Sequence, residues 1–247
     1  MKENVTWDYT ERAATYDKRA DYSQKAISKV IEYINIEPYM HVADIGAGTG
    51  KLSKELLSYD LNIHAVEPNA AMRNIGIQNT LNKSIEWFVG TGEQTGLESN
   101  TYFAVFFGSS FNVVNQDLAL REVSRILKKN GYFCCMWNHR NLNDPLQNEI
   151  ESCIKSEIDD YDYGFRRMDP SKHLMKSDNY SEIKSFEGEF EVIMEKNDIV
   201  DAWKSHATLS RQAGKKLEII MNNIQKIIPN GKNVVPYKTR IWVARHK

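Results

Sequence analysis

The sequence predicts an α/β fold, a parallel sheet with helices on both faces, and three observations carry that expectation. The apolar run from His41 to Ile45 ends in Gly46, Gly48 and Gly50, three glycines at alternate positions where a strand meets a helix. Strand-like and helix-like patterns then alternate to about residue 140, as βαβ units do. The stretch Phe103-Ala104-Val105-Phe106-Phe107 is apolar without a break, as a central strand covered on both faces must be.

Each element follows from its own pattern. Between Ser23 and Tyr33 the apolar residues Ala26, Ile27, Val30 and Ile31, continued by Ile34, recur at helical spacing and predict an amphipathic helix before the first strand. After the glycines, Leu52, Leu56 and Leu57 mark a helix, Ile63 to Val66 a second strand, Ala71 to Leu81 a helix, and Ile85 to Val89 a third strand. Phe103 to Phe107 is the fourth strand, Asp117 to Leu127 a helix, and Tyr132 to Trp137 the fifth strand. Past Asn138 the rhythm changes. Asp144 to Ile158 reads as a helix, while residues 159–164 have neither period and many turn formers, which suggests a lid. Regular pattern returns in a strand from Glu189 to Glu195, a helix from Ala213 to Ile228 and a last strand from Val235 to Ala244.

The glycine spacing bears on ligand chemistry. Glycine lets backbone amides approach a ligand closely and accepts positive φ, so three at a strand-to-helix junction imply something bound against the main chain. A dinucleotide fingerprint needs its third glycine at position 51, where Lys51 stands, so the pyrophosphate reading is weak. Glu67, at the end of the second strand, is placed to accept from a ribose diol through charge-assisted bonds and would repel the extra phosphate of NADP. The expected ligand therefore carries a free ribose.

Composition excludes several classes. With 247 residues, 41% hydrophobic and 26% charged, the chain suits one large core with a small appended lid. A net charge of −1 with interspersed signs gives no basic surface, so no nucleic-acid partner is expected. Three cysteines, two of them adjacent at Cys134 and Cys135, form no disulfide framework and point to a reducing cytosol. The start of the sequence shows no export signal and no apolar run approaches a membrane span, so the expected location is cytoplasmic. Oligomeric state is not legible.

Val42 to Ser53, Ala65 to Arg73, Phe88 to Glu93, Tyr102 to Phe111 and Ile126 to Gly131 together resemble the class I S-adenosylmethionine-dependent methyltransferases over roughly the first two-thirds of the chain. Tyr9, Tyr16, Arg19 and Tyr22, with Trp137-Asn138-His139-Arg140, resemble the small-molecule branch that includes trans-aconitate and natural-product enzymes. The resemblance implies a Rossmann-like seven-stranded sheet whose seventh strand lies antiparallel between the fifth and sixth, an N-terminal helical cap and a small lid insertion. It divides a single domain, 1–247, into cap helices (1–35), a cofactor-binding core (36–140), a lid and acceptor region (141–185) and C-terminal strands and helix completing the sheet (186–247). The implied cofactor is S-adenosyl-L-methionine and the by-product S-adenosyl-L-homocysteine.

Site residues follow from the same resemblance. Gly46, Ala47, Gly48 and Gly50 form the cradle, Asp44 orients the methionine end, and Glu67 with Pro68 and Met72 belongs to the acidic-loop motif. Thr91, Gly92 and Glu93 stand at the adenine site, where relatives usually carry Asp in place of Thr91. Tyr16 and Arg19 are expected to cover the site, with Arg19 meeting the cofactor carboxylate. Ser109, with Ser110, Phe111 and Asn112, would line the methyl-transfer corridor; Asn112 replaces a histidine common in relatives. A base is needed only when the acceptor arrives protonated, and the candidates are His139, His206, Tyr9 and Tyr16. No carboxylate cage follows the fourth strand, so transfer is expected to be metal-independent. The expected acceptor is an oxygen or nitrogen of a small polar metabolite or natural-product intermediate. The acidic stretch from Asp144 to Tyr163 reads first as a solvated helix face and second as a lid favouring a cationic amine, whereas Phe165-Arg166-Arg167 could instead clamp a carboxylate or phosphate. The alternatives are methylation of RNA or protein, or a catalytically silent cofactor-binding scaffold.

Overall fold

A computed structural model describes residue 10 and residues 13–162 and 168–247. Five of its strands are parallel neighbours: β1 (His41–Ile45), β2 (Asn62–Val66), β3 (Ile85–Phe88), β4 (Tyr102–Gly108) and β5 (Leu127–Arg140). Two long antiparallel strands, β6 (Tyr180–Glu195) and β7 (Lys232–His246), complete the sheet in the order β3-β2-β1-β4-β5-β7-β6. The seventh strand thus lies antiparallel between the fifth and sixth, as expected.

Period-2 alternation builds a core on each face. Ile45, Val105, Phe107, Phe133, Cys135 and Trp137 point to one face, which α5 (Gln116–Ile126) covers with Ala119, Leu120, Val123 and Ile126. Val42, Ala104, Phe106, Cys134 and Met136 point to the other, beneath α2 (Gln24–Ile34) and α3 (Lys51–Leu56). The α2 stripe is the one its spacing predicts: Ala26, Ile27, Val30, Ile31 and Ile34 are all buried. Ser23 caps its first turn by accepting from the Ala26 amide, and Asn35 closes it in the left-handed conformation. Side-chain oxygens of Asn69 and Asn115 cap α4 (Ala70–Asn79) and α5 in the same way. Cys134 and Cys135 face opposite sides of the sheet, and burial pushes both thiols up.

The end of the chain departs from expectation. The helix expected over 213–228 is α10 (Leu217–Ile227), and an unexpected one, α9 (Ala207–Ala213), precedes it, the two being separated where Gly214 turns the backbone at φ +51. Before them α8 (Lys196–Lys204) follows β6 directly. With α6 (Pro145–Glu157) these helices bury Ile150, Ile154, Ile199, Trp203, Ile220 and Ile224 in a third core, which also takes Val235 and Tyr237 from β7. The layer over the carboxyl ends of the strands is therefore larger than a lid confined to 141–185. The short α7 (Ser171–Met175) instead puts Leu174 into the α5-side core. Ahead of α2, a strap from α1 (Ala13–Tyr16) to Ser23 crosses the loop that follows β1. Among the described residues, no helix is long and apolar enough to cross a membrane.

Candidate functional site

Gly46, Gly48 and Gly50 all adopt positive φ (+68, +59 and +80), and the Gly46 and Ala47 amides donate to the Val66 carbonyl at 2.8 and 3.0 Å. The loop after β1 is thereby tied to the end of β2. A side chain on Gly46 would collide with the Ser110 Cβ at 2.5 Å, and one on Gly48 would press the Met72 methyl at 3.2 Å and reach the Tyr16 ring at 3.9 Å. Glu67 braces the loop from below. Its Oε2 accepts from the Gly48 amide at 2.9 Å and its Oε1 from the Asn69 amide at 2.8 Å, and burial raises its pKa. Each oxygen keeps a second lone pair for a ligand hydroxyl. Arg73 holds the turn by donating to the carbonyls of Glu67 and Pro68.

Asp44 ends up wholly buried beside this loop, where Ser53 Oγ donates to its Oδ2 at 2.7 Å. Its Oδ1 has no protein partner among the described residues, and burial pushes the carboxyl to about 7. Such an oxygen is costly unless something donates to it. It borders a cleft of about 740 Å³, counted with its open mouth, which Tyr16, Arg19, Ser109, Asn138, Arg140 and His206 also line.

The strap closes this cleft from above. Asp17 accepts from Asn79 Nδ2 at 3.3 Å, Lys51 pairs with Asp21 at 2.8 Å, and Lys18 pairs with Asp198 at 3.0 Å. Asn138, on β5, donates through Nδ2 to the carbonyls of Ala20 and Asp21, and it is oriented by Thr239, whose Oγ1 donates to its Oδ1 at 2.6 Å. Tyr22 donates to Ser109 Oγ at 3.0 Å. The Arg19 guanidinium lies 4.3 Å from the Tyr16 ring and donates to the hydroxyl and carbonyl of Ser205, between α8 and α9. One short segment therefore joins the glycine loop, the sheet and the third core.

The expected residues divide clearly. Tyr16, Arg19, Asp44, Gly46, Ala47, Ser109 and His206 border one cleft, and Gly48, Glu67 and Met72 pack against its loop. Where the adenine is expected, Thr91 Oγ1 accepts from the Gln94 amide in a local turn, Gly92 packs on Val114, and Glu93 accepts from the Asn115 amide at 2.6 Å. Glu93 thus serves the start of α5. Of the corridor residues only Ser109 reaches the cleft: Ser110 donates to the Ile45 carbonyl, Phe111 is core, and Asn112 accepts from Trp137 Nε1 at 2.8 Å.

Neither histidine is set as a base. His139 does not border the cleft, because strand alternation sends Asn138 and Arg140 into it and His139 to the opposite face. His206 borders it but caps α9, its Nδ1 accepting from the Leu209 amide at 3.2 Å, so the neutral ring carries its proton on Nε2 and donates there. Tyr9 and Phe165-Arg166-Arg167 lie outside the described residues. Arg140, Tyr237, Ser205 and Thr239 were not anticipated as site residues. Asn138 and Arg140 sit two apart at the end of the fifth strand, which is a signal only once the strand's parity is known.

Comparison with known proteins agrees with this geometry. Residues 43–135 match the family described as Methyltransferase domain. An uncharacterized methyltransferase of Mycobacterium tuberculosis is 33% identical over 100 residues, 40% of each chain. A ubiquinone/menaquinone biosynthesis C-methyltransferase of Rubrivivax gelatinosus is 33% identical over 98 residues, 39% of this chain and 38% of its own. The match thus spans about two-fifths of the length of these curated relatives. In fold, a candidate type II methyltransferase from Anaeromyxobacter dehalogenans superposes with a TM-score of 0.67 at 14% identity, covering 92% of this chain and 97% of that one.

Proposed function

This chain carries a methyltransferase domain in the class I fold, and on that premise we propose that it transfers the methyl group of S-adenosyl-L-methionine to an oxygen or nitrogen of a small organic acceptor, without a metal. The observation that carries the reading is the closed cleft: a left-handed glycine cradle and an unpartnered Asp44 oxygen at its base, with the Tyr16 and Arg19 strap above. The cradle is shaped for backbone contact that a Cβ would block, so the residues present fit the cofactor.

Gly46, Ala47 and Gly48, with Asp44 and Arg19, would hold the methionine end, Glu67 the ribose, and Met72 with Thr91 and Gly92 the adenine. In the transfer, the acceptor lone pair would form the new bond to the methyl carbon as its bond to sulfur breaks, leaving S-adenosyl-L-homocysteine, and any proton the acceptor carried would pass to water as the product leaves. The chain's part is to position two ligands and exclude solvent. Tyr16 offers a π face to positive charge. The hydrogen-bonded hydroxyls of Tyr22 and Ser109 orient the acceptor. An acceptor that arrives ionised needs no base, which accords with the tautomer of His206. A strapped cleft favours a metabolite over RNA or protein. Among the described residues no three His, Cys, Asp or Glu side chains gather to hold a metal, and chelator is expected to leave turnover unchanged.

A carbon acceptor is the second reading, favoured by the Rubrivivax relative, which is a C-methyltransferase. One experiment tests both. Labelled S-adenosylmethionine is incubated with protein and a cell extract separated into small-molecule, RNA and protein pools, with Gly48→Arg as control. Label is expected in the small-molecule pool alone, and NMR of the product separates oxygen or nitrogen from carbon. Label confined to RNA or protein overturns the proposal, and cofactor binding without label in any pool points to the silent scaffold.

A further inference from the structure

We propose that Arg140 recognises an anionic group of the methyl acceptor, so that the acceptor is a small molecule bearing a carboxylate or phosphate. The inference rests on the methyl-transfer reading and adds a substrate class to it. Arg140 is the last residue of β5, shares a face with Asn138, and borders the same cleft as Asp44 and Ser109. Its guanidinium carbon lies 3.7 Å over the ring of Trp203 and 5.9 Å from that of Tyr237. Trp203 is itself buried in the third core, so this stack fixes the guanidinium plane on a rigid wall.

What Arg140 lacks is a counter-charge. Among the described residues no carboxylate pairs with it, whereas Lys51, another cation that lines the cleft, is matched by Asp21. Burial, with the repulsion of Arg19, which is of like sign, lowers the Arg140 pKa. An aromatic stack only partly offsets the removal of a guanidinium from water. A bidentate anion supplies the rest and matches the fork of donors that Arg presents. Arg19 is differently placed: both of its bonds to Ser205 hold the strap, and it lies on the Tyr16 side beside the glycine loop. The two guanidiniums are therefore distinguished by their ties, Arg19 to Ser205 and the Tyr16 ring and Arg140 to the Trp203 wall, and it is Arg140 that is left to meet the acceptor.

The test uses the full chain and a metabolite extract of the source cells, separated on an anion exchanger at neutral pH before reaction with labelled S-adenosylmethionine. Label is expected from the retained fraction. With that fraction Arg140→Gln should lose roughly 100-fold in labelling rate, Arg140→Lys should recover part of it, and both should bind S-adenosylhomocysteine within about 2-fold of wild type. Label arising only from the unretained fraction overturns the inference while leaving methyl transfer standing, and it needs no variant to fold. An equal loss of S-adenosylhomocysteine affinity in Arg140→Gln also overturns it, since the guanidinium then serves the cofactor. Label from neither fraction overturns both readings.

Discussion

Asp44 shows how a single buried oxygen couples stability to binding. Its carboxyl sits near 7 in the folded chain against 3.8 when unperturbed, because burial outweighs the Ser53 hydrogen bond. The folded state therefore holds the proton more tightly than the unfolded one. Stability from this group is complete below pH 3.8 and is lost as pH rises through about 7, by on the order of 4 kcal/mol. Asp44→Asn should accordingly raise the melting temperature of the ligand-free protein at pH 8, with the gain shrinking towards pH 4, yet weaken S-adenosylhomocysteine binding at least roughly tenfold by calorimetry. Gly46→Ala should act in the opposite sense on stability. Its Cβ meets Ser110 at 2.5 Å and its φ is +68, so a loss of about 2 kcal/mol in denaturant melts is expected, with the cofactor loop displaced. Sequence made these positions legible because glycine spacing and a strand-terminal acid are local signals. The error at His139 was of a different kind. Phe133 to Trp137 is apolar throughout and buried on both faces, so nothing in it states which parity points to the cleft, and a one-residue shift exchanges His139 for Arg140.

Elements held by caps and ion pairs carry their own tests. Glu122 on α5 accepts from the amide and hydroxyl of Thr95 and from Arg125, which also donates to the Leu97 carbonyl, so one carboxylate ties the loop before β4 to the helix. These bonds, led by that to Arg125, hold its pKa near 2. The stabilisation is present above the ordinary value of 4.5 and is lost as pH falls through about 2. Glu122→Gln should cost about 1–2 kcal/mol at pH 7, allowing for solvent screening, and nothing near pH 2, as read by thermal melts. The strands β1 to β5 and the helices between them were legible because period and turn residues agree there. The first half of β6 was not, since the register shift between Ser181 and Lys184 breaks the alternation. Helix α8 starts at Lys196 straight from the last residue of β6, with no glycine or proline between them to mark the change.

At the scale of the molecule, the core beneath α2 and the third core meet at the cleft through Tyr22, Leu52, Ala202 and Tyr237, and the strap is what couples them. Arg19→Ala removes its bonds to Ser205, so S-adenosylhomocysteine should dissociate roughly tenfold faster in stopped-flow measurements. Hydrogen exchange should show that ligand protects residues 13–22 and 199–209 together in the wild type, and that this joint protection is lost in the variant. The sheet order was legible through family resemblance, but the strap's partners were not, because contacts between residues 186 and 216 positions apart leave no periodic trace. Those separations also set an order of events during synthesis. Ser205 and Thr239 leave the ribosome long after Arg19 and Ser23, by about 10–40 s at ordinary elongation rates. Until then the strap has only its ties to Asn79, Lys51, Ser109 and Asn138, so a prematurely terminated product has its strap anchored on the sheet side and free on the side of the third core.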